Sequence, residues 1–417
     1  MVMISRGSFV RHCLRRPPHS RTSRADHIHS AYRLSSVSRA CGVATRAFSA
    51  SQRSFATLST KFVGAHISAS GGCLKALDNA AQWLGPRARA FAFFVRPRLS
   101  WKPVAPIEPT HAQQFCERLR TASHFDASKV VVHGSYILNF GSHDAELRRR
   151  SVDLMVEEVL KCAQLGIPSY VFHPGSCTRV PAHLDWTPLL KRSKKTAEVT
   201  DTQREEAIAR ESQARVLSVE FIGECMAEVL RRTQDVTLCV ENMCGQGNVL
   251  GRDFHELRGI LDSVVAHTSM GGAHHRVGVC IDTCHAHASG MKVTTAQDCE
   301  ETMASFDAIM GDAWIQRDVL KVLHVNDSMD ACGSRKDRHE NIGLGRIGLA
   351  GFEWFMNSPR FDNLPMILET PRRGKEALRE KLSMVDNDVH RELLRASMGE
   401  DDTDENEIDL LLRLVRT

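Results

Sequence analysis

Nine imidazole and carboxylate side chains in this sequence could bind metal ions together. Six of them stand at the ends of short apolar runs: His133, His173, His324, Glu241, Asp282 and Glu369. Two motifs add three more, because IDTCH contains His285 and KDRHENIG contains Asp337 and His339. Imidazole and carboxylate ligands without a thiolate favour zinc, with manganese or iron as alternatives. Nine ligands are too many for one ion, so the set predicts two or three ions that share carboxylates.

These groups are informative mainly as a set. A single histidine is more often a surface or hydrogen-bonded residue than a ligand, and a lone acidic residue at a strand end often caps the next helix. Independent caps would not place nine such groups around one ring. Two metal ions about 3.5–4 Å apart can hold both the attacking and the leaving oxygen of a phosphodiester. Three divalent ions would outweigh the four carboxylates, and a pocket of net positive charge favours a phosphate over a neutral sugar.

Eight short apolar runs must position these side chains. They are KFVGAH, AFAFFV, KVVVH, YVFH, TLCVE, VGVCID, VLKVLH and LPMILE, and seven of them end on a histidine, aspartate or glutamate. Most intervals from His133 onward are 40 to 45 residues long. Eight strand-plus-helix units with polar groups at the C-terminal strand ends predict an α/β fold, an eight-stranded parallel (β/α)8 TIM barrel. The alternative is a doubly wound open sheet, which would normally gather its site at one switch point.

The segment between the third and fourth runs shows one such unit in detail. Apolar residues recur there at helical spacing: Val152, Met155, Val156, Val159, Leu160 and Ala163. Gly166 stands where a left-handed helix cap is expected, and Pro168 prevents the helix from continuing. Because the next apolar run begins two residues later, the segment predicts a βαβ unit.

The first 60 residues differ in composition from the rest of the chain. They contain ten Arg, twelve Ser, no Lys and a single acidic residue, Asp26. Such a composition is typical of a transit peptide for mitochondria or another organelle. Cleavage is expected near residue 56, within the motifs RAFS and RSFA. The sequence leaves open whether a second copy of the protein is nuclear. The alternative is a disordered basic tail that binds nucleic acid.

The net charge and the cysteine pattern limit which ligands and which cell compartments the sequence supports. The whole chain carries a net charge of +4, but residues 61–417 hold 44 basic and 49 acidic residues, which is a net −5. Overall charge therefore gives no support for nucleic-acid binding, and the case must rest on the site. The 13 cysteines show no C-x-x-C spacing, which indicates reduced thiols inside a cell. No apolar run is long enough to span a membrane.

Two segments fall outside the regular spacing of the barrel. The interval from His173 to Glu241 is 68 residues, and its excess, the charged stretch 181–215, is predicted to be a surface insertion. The barrel domain itself is predicted over 61–374. The remainder, 375–417, is predicted to be an acidic, partly helical C-terminal tail with a helix near 409–415.

Seven motifs together resemble the endonuclease IV family of apurinic/apyrimidinic endonucleases. They are GAHISASGG, HGSYILNFGS, FHPGS, ENMCGQG, GVCIDTCHAHASG, HVNDSMDACGSRKDRHENIG and PMILET, and they follow the family's order over 61–370. The resemblance implies a barrel that binds three zinc ions (Zn²⁺) and cuts DNA on the 5′ side of abasic sites to leave a 3′-hydroxyl. It also implies trimming of blocked 3′ ends. The expected partner is double-stranded DNA with these lesions, bound by a monomer.

The resemblance also implies a role for each ligand. His133, His173 and Glu241 would hold one zinc ion. Glu241 would be shared with a second ion, which Asp282, His324 and Glu369 would also hold. The third ion would be bound by His285, Asp337 and His339. Glu369 would orient the water that attacks the phosphate in line, and Glu241 is the second residue with an expected catalytic role.

Four residues around the ligands are expected to meet DNA. Tyr136 and Ile137 match residues that family members push into the gap left by a flipped-out abasic nucleotide. The alternative for Tyr136 is simple packing at the barrel rim. His66 is expected to orient substrate or a metal ligand rather than bind metal. In the loop VRPRLSW, Leu99 stands where the family has an arginine, so either Arg98 takes that role or the grip on DNA differs.

The residues alone leave two other functions to be considered. A sugar isomerase or epimerase on a similar barrel would assemble two metals from fewer ligands and would not need Asp337 and His339. A catalytically inactive DNA-binding scaffold would have no use for a complete ligand set.

Overall fold

The computed structural model describes residues 60–121, 124–190, 199–268, 273–385, 387–397 and 404–416. Apart from residue 60, the predicted transit peptide and its cleavage sites lie outside the described residues. No helix among the described residues is long and apolar enough to cross a membrane.

Eight parallel strands close into a barrel, and a short antiparallel pair lies beside it. The barrel strands are β1 (Phe62–His66), β2 (Ala90–Phe93), β3 (Val130–His133), β4 (Ser169–Phe172), β5 (Thr237–Glu241), β6 (Val277–Asp282), β7 (Leu320–His324) and β10 (Pro365–Leu368). The extra pair is β8 (Asp327–Ser328) with β9 (His339–Glu340). The barrel closes where β1 pairs with β10, with Phe62 opposite Pro365 and Ala65 opposite Leu368. The prediction of a TIM barrel is confirmed, and the open sheet is excluded.

Twelve α-helices are present in the described part of the chain. They are α1 (Cys73–Trp83), α2 (Pro109–Thr121), α3 (Ala145–Gln164), α4 (Asp201–Arg232), α5 (Phe254–His267), α6 (Thr283–Ser289), α7 (Ala296–Met310), α8 (Asp312–Ile315), α9 (Leu349–Asn357), α10 (Lys375–Ser383), α11 (Asp388–Ser397) and α12 (Asp404–Arg413). Their apolar faces and the outward side chains of the strands form one large core around the barrel.

The two-residue period of the strands explains why the ligands share one end of the barrel. Alternate side chains fill the barrel interior: Phe62, Ala90, Ala92, Val131, Val171, Cys239, Cys280, Val322 and Ile367. Side chains two residues apart point to the same side of a strand, so His133 follows Val131 into the interior and Glu241 follows Cys239. The same two-residue step from an interior side chain leads to His173, Asp282, His324 and Glu369. Each run therefore delivers its polar group above the packed interior, at the C-terminal end of the barrel.

The βαβ unit that contains α3 forms as the sequence predicts, with one difference. Gly166 has a φ of 66° and its N–H bonds to the carbonyl of Ala163, as expected for a left-handed cap. Leu160 is 46% exposed, however, and Ala163 is exposed as well, although both belong to the predicted apolar stripe. The buried face of the last turns runs instead through Val159 and Cys162, so Leu160 lies at the outer edge of the stripe.

The two segments outside the regular spacing are largely helical where they are described. Residues 201–215 of the predicted insertion form the first half of α4, which begins at a capping box between Thr200 and Gln203. The charged stretch 191–198 lies outside the described residues. In the C-terminal segment, α12 packs against β1 and α9 and buries an apolar stripe that includes Ile408 and Leu411. The segment that reads as a tail thus supplies a helix of the barrel shell.

Candidate metal centre

Glu241 is the residue around which the predicted ligands gather. It ends β5 and is fully buried. Its Oε2 lies 3.3 Å from Nε2 of both His133 and His173. Its Oε1 lies 2.9 Å from Nδ1 of His324 and 3.4 Å from Nδ1 of His285. A carboxylate with ring nitrogens beside both of its oxygens is placed to bridge two metal ions.

A second group of ligands lies at the ends of β6, β7 and β10. Single ligand atoms of Glu241, Asp282, His324 and Glu369 all lie within 4.8 Å of one another. Oε2 of Glu369 is 3.4 Å from Nδ1 of His324. Oδ1 of Asp282 accepts a hydrogen bond of 2.7 Å from the backbone N–H of His285. Asp282 therefore caps α6 and is a candidate ligand at the same time, so the two interpretations of an acidic strand end do not exclude each other.

A third group forms where α6 meets the segment around β9. Oδ1 of Asp337 lies 3.2 Å from Nε2 of His285 and 3.3 Å from Nε2 of His339. Single ligand atoms of Asp282, His285 and His339 also lie within 4.8 Å of one another. With 37% of its side chain exposed, Asp337 is the predicted ligand that faces solvent most. The fold thus brings all nine predicted ligands into one cluster.

The unsatisfied atoms of this cluster fit a divalent metal. Five buried atoms have no hydrogen-bond partner among the described residues: Nε2 of His133, His285, His324 and His339, and Oε2 of Glu241. In three of these histidines the other ring nitrogen contacts a backbone carbonyl, for example Nδ1 of His285 and the oxygen of Asn242 at 2.9 Å. That contact leaves Nε2 with its lone pair directed at the cluster. Buried polar atoms are rarely left unpaired because desolvation is costly. Metal ions would satisfy the atoms of His133, His285, His339 and Glu241, whereas His324 faces the carboxylates of the cluster with its Nδ1.

The charge balance of the cluster also favours cations. Burial opposes the charge of Glu241, yet His324 and His173 hold its pKa well below the usual range. Burial likewise opposes the charge of Glu369, and His324 and His133 lower its pKa to about 2. Both carboxylates are therefore ionised at neutral pH beside positively charged imidazoles, and divalent ions bound by the same residues would supply that positive charge instead.

Two asparagines that the sequence analysis did not single out fix the ligands from behind. The amide of Asn326 donates to Oδ2 of Asp282 at 2.5 Å, and its oxygen accepts from the N–H of Glu369 at 2.7 Å. The side-chain oxygen of Asn242 accepts from the N–H of Asp282 at 2.6 Å. Such contacts orient ligands before any metal binds. Only their positions next to predicted ligands could have indicated them in the sequence, since Asn242 directly follows Glu241.

The residues predicted to meet DNA lie at the rim of the cluster. Tyr136 is 40% exposed, and its ring stacks on that of His173 at 5.1 Å. The N–H of Tyr136 donates to the carbonyl of Arg98 at 2.9 Å, and the Arg98 guanidinium lies 5.6 Å from the Tyr136 ring. Ile137 is partly buried against the core. Tyr136 therefore packs at the rim and is also exposed enough to contact a ligand.

Two further rim residues differ in exposure. His66 is partly buried, and loss of contact with water lowers its pKa to about 3. It belongs to none of the three ligand groups, and its ring lies 4.5 Å from that of Phe94. Leu99, in contrast, is 68% exposed, so an apolar side chain projects beside Arg98. A cavity of about 1030 Å³ opens next to His66, and its walls include Trp83, Arg98, His111 and Arg372.

A buried polar network, also not foreseen from the sequence, connects α3 to both rim loops. Nη2 of Arg96 donates to two backbone carbonyls in the loop 100–102, at 2.8 and 2.7 Å. Nε of Arg96 lies 3.8 Å from Oε1 of Glu158, and both side chains are 1% exposed. Glu158 in turn accepts hydrogen bonds from the backbone N–H and hydroxyl of Ser135 and from the Tyr170 hydroxyl. Arg96 also donates to Oε2 of Glu157 at 3.3 Å. Arg96 and Glu158 together therefore link the loop of Arg98 to the loop of Tyr136.

A closed parallel barrel with a cluster of metal-binding side chains at its C-terminal end defines a class of metal-dependent TIM-barrel proteins. The family described as a xylose isomerase-like TIM barrel matches residues 79–388. This chain belongs to that family.

Several solved structures are similar to this chain. Endonuclease IV from Thermus thermophilus is 29% identical, with a TM-score of 0.55 over 77% of this chain and 98% of that chain. The crystal structure of AsfvAP:AG shares the fold at 16% identity, with a TM-score of 0.52 over 78% of this chain and 96% of that chain. A D-tagatose 3-epimerase-like protein matches at 17% identity, with a TM-score of 0.45 over 78% and 99% of the two chains.

Proposed function

We propose that this protein is a zinc-dependent apurinic/apyrimidinic endonuclease of DNA base excision repair. It would hydrolyse the phosphodiester on the 5′ side of an abasic site to leave a 3′-hydroxyl, and it would trim blocked 3′ ends. The observation that carries the proposal is the third ligand group of His285, Asp337 and His339, built beside the two groups that share Glu241. A sugar isomerase or epimerase, the alternative within this family, has no evident need for that group.

The chain's own residues divide the chemical work. Bound zinc ions would supply an activated water molecule and stabilise the charge on the departing 3′-oxygen. Glu369 keeps 13% of its side chain exposed at the pocket, and its low pKa leaves it ionised at neutral pH. A carboxylate in that state can accept a hydrogen bond from the attacking water and orient it. Glu241 is fully buried, so its role is to hold two ions in place rather than to touch DNA.

Exposed cations near the third ligand group offer contacts for the DNA backbone. Arg338 and Lys336 flank Asp337 and are 61% and 53% exposed. On the opposite side of the cluster, Arg98 lies against Tyr136. Phosphate contacts of this kind give affinity that does not depend on sequence. Local basic groups therefore compensate for the net negative charge of residues 61–417.

Cleavage of a defined duplex tests the proposal. The substrate carries one tetrahydrofuran abasic analogue, the control is the same duplex with an intact base pair, and the products are identified at both new ends. We expect incision only at the lesion, with a 3′-hydroxyl on one fragment and a 5′-phosphate on the tetrahydrofuran residue of the other. A duplex ending in a 3′-phosphoglycolate should be trimmed. The proposal would be refuted if the metal-loaded protein left both the abasic duplex and the 3′-phosphoglycolate duplex intact. Interconversion of ketose epimers by the same preparation would favour a sugar epimerase.

A further inference from the structure

Glu340, the residue after the predicted ligand His339, is a buried carboxylate with partners from the C-terminal segment. Its side chain is fully buried in β9. Oε1 lies 2.7 Å from Nη2 of Arg373 and accepts a hydrogen bond of 2.8 Å from Nε of the same side chain. Oε2 lies 2.9 Å from Nζ of Lys381 in α10. Two cations that follow the last barrel strand thus neutralise a charge placed directly beside the metal cluster.

A second contact from the C-terminal segment reaches the same region. Glu407 of α12 is 4% exposed, and its Oε1 accepts a hydrogen bond of 2.7 Å from the N–H of Ile342. Its other oxygen accepts from the hydroxyl of Thr370, the residue that follows Glu369. Helix α12 is itself packed against β1. Glu407 therefore ties the segment after β9 and the end of β10 to a helix of the barrel shell.

The third ligand group depends on support of this kind more than the other two. Asp337 and His339 are not on barrel strands, since His339 lies in the two-residue strand β9, which pairs only with the equally short β8 among the described residues, and Asp337 precedes it. Nδ1 of His339 contacts the carbonyl of Glu369 at 3.1 Å, while its Nε2 lies 3.3 Å from Asp337. His285 is held separately, by the short helix α6 and by Asn242. Movement of β9 would therefore separate His339 and Asp337 from His285.

We propose that Arg373, Lys381 and Glu407 form a C-terminal clamp that positions His339 and Asp337, so that occupancy of the third ligand group depends on the clamp. The inference rests on the proposed metal centre, and it assigns a role to Arg373 and to helices α10 and α12. A buried carboxylate that loses its cations is strongly destabilised where it stands, so Glu340 without Arg373 and Lys381 would turn towards water. Its neighbour His339 would move with it.

The test uses the full-length, zinc-loaded protein and the double variant Arg373→Met/Lys381→Met. The single variant Lys381→Met is a milder change, because that side chain is 31% exposed, and Lys381→Arg keeps the charge. The matched control is Arg360→Met, which breaks a two-nitrogen ion pair with Asp307 just before β10, at the other end of the barrel. Zinc per chain is measured after dialysis, and amide hydrogen exchange is followed over residues 339–344.

Wild type, Lys381→Arg and Arg360→Met should retain three zinc ions per chain, and the double variant should retain two. Exchange over 339–344 should rise at least tenfold in the double variant and less in Lys381→Met, with the rest of the barrel unchanged. A general structural defect would not remove one ion and leave two. A double variant with three zinc ions and unchanged exchange would overturn the clamp. If wild-type protein binds no zinc, the proposed metal centre fails and the clamp fails with it.

Discussion

At the scale of single residues, the cluster assigns different tasks to chemically similar carboxylates. Glu241 and Asp282 are fully buried and contact imidazoles or backbone N–H groups, which suits them to hold ions. Glu369 and Asp337 retain exposed surface and are able to meet water or substrate. Burial, rather than residue type, separates the two roles.

The variant Glu369→Gln should lose activity while it keeps affinity for abasic DNA. The amide still fits at the end of β10, but it lacks the negative charge that orients the attacking water. General acid–base contributions are about 10²–10⁴-fold, so single-turnover incision should fall by about that factor. DNA binding depends mainly on phosphate contacts elsewhere and should change little. Incision at near the wild-type single-turnover rate would remove Glu369 from the chemistry.

At the scale of elements, α3 does more than cover the barrel, because Glu158 on its inner face fixes both rim loops through Arg96 and Ser135. Neither loop has regular secondary structure near Arg98 or Tyr136. Their separation is therefore set by the buried ion pair and by the backbone hydrogen bond between them.

The variant Arg96→Met should lower stability and also weaken discrimination between abasic and intact duplex. Removal of one partner from a buried ion pair typically costs about 3–5 kcal/mol, which thermal unfolding can measure. The control is Arg276→Met, since Arg276 also donates to several backbone carbonyls but lies before β6, at the far end of the barrel. The control should lower stability alone. Equal discrimination in the two variants would show that the network does not set the rim.

At the scale of the whole molecule, a metal centre that joins several barrel strands would couple metal binding to folding. Its predicted ligands come from the four strands β3, β5, β6 and β7 and from the segments that follow β4, β6, β7 and β10. Any ion shared by several of these elements stabilises the closed barrel against opening.

Mild chelation should therefore remove activity slowly rather than at once. Buried ions with shared ligands exchange slowly, whereas a nuclease that depends on loosely held magnesium stops immediately in EDTA. Activity measured over hours in EDTA should decline together with zinc content, and the midpoint of thermal unfolding should fall as zinc is lost. Immediate and complete inhibition would contradict a buried zinc cluster.

The N-terminal residues belong to the same scale, because their expected role is to direct where in the cell the protein works. We propose that residues 1–60 direct import into mitochondria or another organelle and are then removed. A reporter fused to these residues should be located in the organelle, and the mature chain should begin near residue 56. A matched fusion in which the ten arginines are replaced by glutamine should stay in the cytosol. Cytosolic reporter with the native sequence would reject the proposal.

The sequence by itself determined the barrel and the candidate ligands, because both depend on local regularities. A strand alternates its side chains every two residues, so His133 and Glu241 had to project above an interior that their own runs define. A helix ends where Gly166 and Pro168 end it, whatever surrounds it. These features need no knowledge of distant segments.

Only the tertiary structure decided which ligands share atoms and what holds them. Glu241 contacts His324 across 83 residues of chain, and Glu158 reaches Ser135 from another element. Glu340 pairs with Arg373 and Lys381. The sequence around Glu340 predicts a loop, and the sequence around the two cations predicts a tail. Such contacts are set by the closure of the barrel and the path of the C-terminal helices, and no period in the sequence encodes them. The ligand types could therefore be read along the chain, whereas the support that makes them a site exists only in the folded molecule.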